Sequence, residues 1–142
     1  MVDKALIEEL KKMRKNPETL SKKTVLTFFE VAKQLSVEDE DLKDSVEEAD
    51  LCMQFVLTDS GEKFWIAARD GAISYGEGDG PDVTATLKGT VKTMSGILYQ
   101  EIDPTSAFLS GALITEGDLQ ASMEFGEMAE LAGEIIEDLM ED

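Results

Sequence analysis

The chain has 142 residues, 42% of them hydrophobic and 31% charged, which is typical of one folded domain rather than a disordered segment. Its formal net charge of −18 predicts a surface that repels phosphate, so we expect no nucleic-acid partner. The sequence contains no histidine, which excludes Ser-His-Asp and Cys-His catalytic groups and imidazole zinc ligands. We therefore expect a non-enzyme without a cofactor, and catalysis by paired carboxylates alone stays open as an alternative. Its one cysteine, Cys52, is expected to be a buried structural thiol.

The charge is unevenly distributed along the chain. Residues 1–36 carry eight Lys or Arg against five Asp or Glu, whereas residues 37–142 carry five against twenty-six. Because the second region repels anionic headgroups, we expect at most transient membrane contact. No apolar run is long enough to span a bilayer, and the first sixteen residues lack the apolar block of a secretory signal. Cytoplasmic localisation is the resulting expectation.

Two helices are predicted at the start of the chain. Leu6 and Leu10 belong to an apolar stripe over residues 2–15, and Asn16-Pro17 ends this helix and begins another that reaches Leu35. We expect residues 1–16 to be an N-terminal helical extension and residues 17–142 to be the main domain. The acidic segment from Val37 to Asp50 lacks the central glycine of a calcium loop, and we interpret it as a solvated connector with room for one helical turn.

Alternating patterns then predict three strands joined by tight turns. Residues 51–58 and 64–69 alternate with a period of two, and the Asp70-Gly71 pair is a strong signal for a two-residue hairpin. Residues 72–75 form a third short strand. The glycine-rich segment from Gly76 to Pro81 carries acids and no lysine, so we interpret it as a turn and not as a phosphate loop.

The second half alternates strands with helices. Residues 83–88 predict a fourth strand, and a helix follows it through Tyr99. Asp103 and Pro104 are suited to begin a short helix that ends at Gly111. Residues 112–116 predict a fifth strand, and residues 119–139 a long final helix. The expected fold class is α+β, with a five-stranded, mainly antiparallel sheet and helices covering one of its faces.

One series of motifs resembles a known family. The series contains Asp82-Val83-Thr84-Ala85-Thr86, the Asp103–Gly111 segment DPTSAFLSG, Gly117-Asp118 and Met123. In this order of strands and helices it resembles the sterol carrier protein type-2 family of lipid-binding domains over about residues 20–135. At three places the chain departs from the family pattern, with Gln100-Glu101 for Gly-Lys, Ala112 for a basic residue and Thr115 for an aliphatic one. These departures argue against transfer to anionic membranes.

The resemblance implies non-enzymatic intracellular lipid binding or transfer, with a fatty acyl or sterol-like ligand held in an apolar cavity between sheet and helices. Acyl-CoA is the least expected ligand, because its phosphates would meet the acidic region. The final helix is expected to act as a lid. The apolar side chains expected to line the cavity are Phe55, Phe64, Ile66, Met94, Ile97, Leu98, Phe108, Leu109, Leu113, Met123, Met128 and Leu131.

The same residues also allow an alternative. They would form the filled core of any domain with this pattern, because periodicity does not distinguish a packed interior from a hollow one. In that case the chain is a structural or protein-interaction module, and a homodimer is one form that it could take. Trp65, Val56 and Tyr75, interpreted as lying on the reverse face of the sheet, or the first helix, would then contribute the contact surface.

Overall fold

The computed structural model describes residues 3–14 and 22–141. The helices are α1 Lys4–Arg14, α2 Lys22–Glu38, α3 Glu40–Glu48, α4 Val91–Leu98, α5 Pro104–Ser110 and α6 Leu119–Met140. The strands are β1 Leu51–Leu57, β2 Lys63–Arg69, β3 Ala72–Glu77, β4 Ala85–Gly89 and β5 Ile114–Gly117.

The five strands form one sheet in the order β3-β2-β1-β4-β5. The central pair, β1 and β4, is parallel, and the other three pairs are antiparallel. Helices cover one face, as the sequence predicts, and the α+β class with a mainly antiparallel sheet is confirmed. Strand β5 lies at one edge, so its outer side has no neighbouring strand among the described residues.

The β2–β3 turn fixes the register of the hairpin. Asp70 and Gly71 have φ values of 55° and 76°, the positive pair that a type I′ turn requires. The turn places Arg69 opposite Ala72, and so Tyr75 opposite Ile66. Tyr75 therefore lies on the helix-covered face, and the expectation that it lies on the reverse face is wrong. A two-residue turn fixes which residues pair across the hairpin, and so fixes the face on which each side chain lies.

The core lies between the sheet and helices α1, α2, α3 and α6. Leu10 of α1 is fully buried, and the hydroxyl of Tyr99 donates a hydrogen bond to its carbonyl oxygen over 3.1 Å. Helix α1 thus belongs to the same packed interior as α2, whose Phe28 ring meets Tyr99 edge-on at 5.0 Å. The boundary expected at residue 16 lies outside the described residues, and the division into 1–16 and 17–142 stays a prediction.

The acidic segment before β1 is not a connector. Residues 40–48 form α3, with Asp39 as its N-cap accepting from the amide of Leu42 over 3.0 Å. Leu42 and Val46, four positions apart, are each 1% exposed, so the helix buries one narrow apolar stripe and leaves its acids in solvent. The expected solvated connector is therefore wrong, because two apolar residues at helical spacing outweigh the surrounding charge.

The reverse face of the sheet is partly closed by the loop after β3. Buried Gln54 donates hydrogen bonds to the carbonyls of Phe64 and Gly78, and accepts one from the amide of Gly80, each over 2.8 Å. The guanidinium of Arg69 adds bonds to the carbonyls of residues 81 and 82. The glycine-rich segment thus lies across Cys52, Gln54 and half-buried Trp65, rather than forming a free turn.

The caps predicted for the short helix are confirmed. The carboxylate of Asp103 accepts from the amide of Ser106 over 3.2 Å, Pro104 occupies the first turn, and Gly111 ends the helix with φ of 85°. Helix α5 leads directly into the β5 edge, because the amide of Leu113 donates to the carbonyl of Ala107. This connection places the exposed residues of α5 beside the β5 edge.

Candidate functional site

The helix-covered face of the central strand is not uniformly buried. Met53 and Leu57 on β1 are 0% and 2% exposed, whereas Phe55, which lies between them on the same face, is only half-buried. Leu87, its partner on β4, is also half-buried. Side chains on the inner face of a central strand are normally enclosed, so the layer between sheet and helices is open at this point. We call the place where Phe55, Leu87 and Phe125 meet solvent the inner-face opening.

A row of aromatic rings runs from this opening into the protein. The ring of Phe125 on α6 lies 5.7 Å from that of Phe55, and Phe55 lies 5.6 Å from Phe29 on α2. Phe29 in turn lies 6.0 Å from Tyr75 on β3. The inclined geometries are those that aromatic pairs favour. Between α6 and the sheet, the protein's own rings therefore occupy the place where a ligand is expected.

Helix α6 forms the outer wall of the opening and faces inward with small or flexible side chains. Its buried residues are Ala121, Met128, Ala132, Ile136 and Met140. Its outward faces carry six acids and no lysine or arginine. These acids repeat at spacings of three and four, and several lie near the C-terminus, where the helix dipole opposes negative charge. The apolar stripe is therefore the feature of this helix that attaches it to the core.

Tyr75 on β3 and Glu30 on α2 are titratable side chains that form a hydrogen bond with each other. The Tyr75 hydroxyl donates to the carboxylate of Glu30 over 2.5 Å. This bond, with a second from Gln34, lowers the pKa of Glu30. Burial, and secondarily the same carboxylate, raises the pKa of Tyr75 to about 12. The pair fastens α2 to β3 and stays in one protonation state at neutral pH, so it is suited to holding the fold rather than transferring protons.

The structure places the twelve predicted cavity residues in three groups. Phe64, Ile66, Met94, Leu113 and Met128 are buried, and Phe55, Ile97, Leu98 and Leu131 are half-buried. Phe108, Leu109 and Met123 are 47%, 78% and 64% exposed, so they do not enclose an interior space in this conformation. Whether these twelve side chains contact a ligand stays a prediction.

Three side chains of the aromatic row, Phe125, Phe29 and Tyr75, are absent from that predicted set. Phe125 lies four residues after buried Ala121 and three before buried Met128, so the 3–4 spacing of the helix stripe was sufficient to find it. Phe29 follows Phe28 on α2, and both are 5% exposed. Its contact with Phe55 depends on where α2 crosses the sheet, which no local pattern specifies.

Two pockets lie elsewhere on the described surface. A shallow groove of about 350 Å³ between α1 and α2 is lined by Leu6, Leu26, Lys23, Thr27 and Glu30. A second depression, of about 260 Å³, lies at the start of β2 and the end of β3. Neither lies at the inner-face opening, and an enclosed cavity between sheet and helices stays a prediction.

The described residues offer little reactive chemistry. Cys52 is buried, as expected, and burial raises the pKa of its thiol, which keeps it protonated and unreactive. Within residues 3–14 and 22–141, no cluster of three metal-binding side chains occurs. None of the helices in this described part is both long enough and apolar enough to cross a membrane.

Comparisons with known proteins identify the family to which this fold belongs. The model of the SCP-2 sterol transfer family matches residues 29–130, which is most of the chain. The chain belongs to this family, and lipid binding or transfer is the general function that membership implies. Carriers of this family are generally non-enzymatic. A search of curated proteins found no significant match.

Solved structures of low sequence identity share the fold. The sec-alkylsulfatase Pisa1 from Pseudomonas sp. is 23% identical with a TM-score of 0.57, but the match covers 74% of this chain and 16% of the sulfatase. The ubiquinone synthesis protein UbiJ-SCP2 is 14% identical with a TM-score of 0.61, over 80% of this chain and 95% of that one. Sterol carrier protein 2 from Yarrowia lipolytica, in its apo form, is 11% identical with a TM-score of 0.60, over 78% and 90%.

Proposed function

We propose that this protein is a non-enzymatic carrier that holds a fatty acyl or sterol-like ligand between the sheet and helix α6. The observation that supports this proposal is the inner-face opening, where Phe55 stays partly exposed although Met53 and Leu57, on either side of it on the same face, are fully buried. A hydrocarbon chain laid there would remove Phe55, Leu87 and Phe125 from water together with its own surface. Family membership supplies the class of ligand.

Ligand binding on this scheme requires α6 to move outward. The rings of Phe29, Phe55 and Phe125 now occupy the layer, so space for a tail appears only when the ring of Phe125 withdraws from Phe55. Methionine and alanine make up most of the buried stripe of α6, and thioether side chains adapt to irregular surfaces better than branched ones do. Helix α6 thus acts as the lid, with the other helices retaining the core.

Hydrocarbon burial supplies enough free energy for such a carrier. Each methylene group removed from water contributes about 0.8 kcal/mol, so a sixteen-carbon tail gives about 13 kcal/mol before costs. Lost freedom of the ligand and the opening of α6 cost about 4 kcal/mol or more, which leaves micromolar dissociation constants. Because the described side chains at the opening are apolar, selectivity among headgroups is weak.

Ligand binding in solution is the first test. A fluorescent fatty acid below its critical micelle concentration is titrated with the purified protein and displaced with oleate and with cholesterol. Micromolar binding with displacement supports the proposal. Native mass spectrometry of the same material shows whether lipid accompanies the protein. Absence of binding and of lipid, with oligomers instead, contradicts the proposal and favours the alternative of an interaction module with a filled core.

Two neighbouring residues on opposite faces of β4 provide a matched pair of variants. Leu87 faces the inner-face opening and Thr86 faces the reverse side, because Leu87 pairs with Phe55 and Thr86 with Gln54. Leu87→Ser should weaken fatty-acid binding about tenfold, since a polar hydroxyl replaces apolar wall, and Thr86→Ser should leave it unchanged. Urea unfolding shows that both variants are folded. Equal binding by the two variants contradicts a ligand site on the inner face.

A further inference from the structure

The longest uncharged segment of this acidic chain lies on its surface. Residues 104–115 contain no Asp, Glu, Lys or Arg, in a sequence of which 31% is charged. They form α5 and the start of the β5 edge, and only Ala107 and Leu113 among them are buried. An uncharged run is typical of a strand or helix in the interior, so its exposure here requires an explanation other than packing.

Large apolar side chains are concentrated on this segment and beside it. Of the eight exposed large hydrophobic residues in the described part of the chain, six lie here. The carbonyl of Thr84 accepts a hydrogen bond from the amide of Asp118. This bond places Val83, the residue before Thr84, next to the start of α6. Clusters of this kind mark interaction sites on folded proteins. We name this surface the α5–β5 edge, and its apolar members are Val83, Phe108, Leu109, Ile114, Leu119 and Met123.

Acidic residues outnumber basic ones around this surface. Lys92 is the last basic residue in the chain, and the following fifty positions contain twelve acids. Of the acids that flank the α5–β5 edge, Asp103 and Asp118 cap helices, and Glu116 pairs with Lys88 on the neighbouring strand. The α5–β5 edge is therefore an apolar surface without charges of its own. Beside it lie the two capping carboxylates and the ion pair of Glu116 with Lys88, which faces Ile114 across the strands.

We infer that the α5–β5 edge docks on a zwitterionic lipid surface. Phosphatidylcholine presents its trimethylammonium groups outermost, which suits surrounding carboxylates, and its acyl boundary takes up the apolar side chains. Anionic lipid would instead face the acids and be repelled. Self-association through the same surface would bring the acidic residues beside it close to those of a second copy. Each copy has a net charge of −18, so the two copies would repel each other.

This inference rests on the proposed function for its choice of occupant, since a lipid carrier must collect its ligand from a lipid phase. Beyond the proposed function, it specifies which surface of the protein contacts the membrane and which kind of lipid this surface prefers. Helix α6 begins within the α5–β5 edge, at Leu119, and continues to Phe125 at the inner-face opening. A carrier docked through this surface therefore holds the first turns of its lid against the membrane.

The test uses vesicles of phosphatidylcholine, with and without 30% phosphatidylserine, and the full chain in low salt with a chelator. The double variant Ile114→Thr/Leu119→Ser changes two exposed residues that lie outside the proposed ligand wall. Val37→Ser is the control, because Val37 is 76% exposed and lies at the end of α2. We expect about tenfold weaker sedimentation with phosphatidylcholine vesicles for the double variant, and no change for the control.

Three results would overturn the inference. These are equal vesicle binding by the double variant and the wild type, stronger binding when phosphatidylserine is added, or a dimer in analytical ultracentrifugation that the double variant abolishes. Fatty-acid binding in vesicle-free solution separates this inference from the proposed function. Fatty-acid binding without vesicle binding contradicts the docking surface alone, whereas vesicle binding without fatty-acid binding supports the surface and contradicts the carrier.

Discussion

The ring of Phe125 on α6 meets the ring of Phe55 on β1 with centroids 5.7 Å apart and planes inclined at 65°. This contact joins the final helix to the centre of the sheet at the point where the inner layer is open to solvent. Phe125→Ala should lower the free energy of unfolding by about 1–2 kcal/mol, less than a fully enclosed phenylalanine would cost. Urea denaturation measures this change.

The matched control for this contact is Phe108→Ala on α5. Phe108 is 47% exposed, so its loss should change the unfolding free energy by less than about 0.5 kcal/mol. The same Phe125→Ala variant should also take up fatty acid faster in stopped-flow mixing, because the lid is released. Slower uptake by a folded Phe125→Ala protein would count against α6 as the lid.

Gly126 allows the lid to be stiffened without new contacts. It lies inside α6, and a Cβ built there meets nothing within 4 Å. Gly126→Ala should therefore stabilise the helix by about 0.5–1 kcal/mol through helix propensity alone. Amide exchange in residues 119–130 should slow, and so should fatty-acid uptake. Slower exchange with unchanged uptake would show that ligand reaches the protein without opening of α6.

The hydrogen bond between Tyr75 and Glu30 gives stability a defined pH dependence. Because the folded state lowers the pKa of Glu30, its contribution is present above the ordinary carboxyl pKa and is lost as the pH falls through the folded value. Because the folded state raises the pKa of Tyr75 to about 12, its contribution is complete below pH 10.0 and is lost as the pH rises through about 12.

Tyr75→Phe tests this dependence. It should cost about 1 kcal/mol at pH 7, and the cost should shrink as the pH falls below about 4. Tyr99→Phe is the control, because the Tyr99 hydroxyl donates to a backbone carbonyl that does not titrate in this range. Thermal unfolding between pH 3 and pH 7 measures both variants. A Tyr75→Phe cost that stays constant over this range would contradict the role assigned to Glu30.

Ser95 on α4 is predicted to weaken the fold. It is 1% exposed, and its hydroxyl has no hydrogen-bond partner among the described residues. Ser95→Ala should raise the free energy of unfolding by about 1 kcal/mol, since it removes an unpaired buried hydroxyl and improves helix propensity. Ser36→Ala should not, because that hydroxyl donates to the carbonyl of Lys33 over 2.6 Å. A destabilised Ser95→Ala protein would show that the hydroxyl has a partner.

Local patterns in the sequence predicted much of this fold. The Asp70-Gly71 turn, the Asp103 cap and the Gly111 stop each depend on neighbours within a few residues, and all three are confirmed. The face of the sheet on which Tyr75 lies could also have been predicted, because a two-residue turn fixes which residues pair across the hairpin. Helix α3 was missed because its acids concealed the spacing of Leu42 and Val46.

The site was less accessible to sequence reasoning, because its decisive features are not local. The half-exposure of Phe55 depends on how closely α6 covers β1, and Phe108 and Met123 resemble core residues by type and spacing. The hydrogen bond that Gln54 donates to residue 78 and the one that it accepts from residue 80 join positions more than twenty apart. Side-chain alternation predicts which face a residue occupies, but the extent of coverage depends on how the helices cross the sheet.

Methyl NMR of the methionines tests the central claim most directly. Met53 on the inner face of β1 and Met128 on the inner side of α6 flank the proposed ligand layer, while Met140 is buried at the far end of the same helix. On titration with palmitate below its micelle concentration, we predict saturable shifts of the Met53 and Met128 methyl signals, with little change at Met140. Palmitate that leaves both of these signals in place would contradict a carrier that holds lipid between its sheet and its final helix.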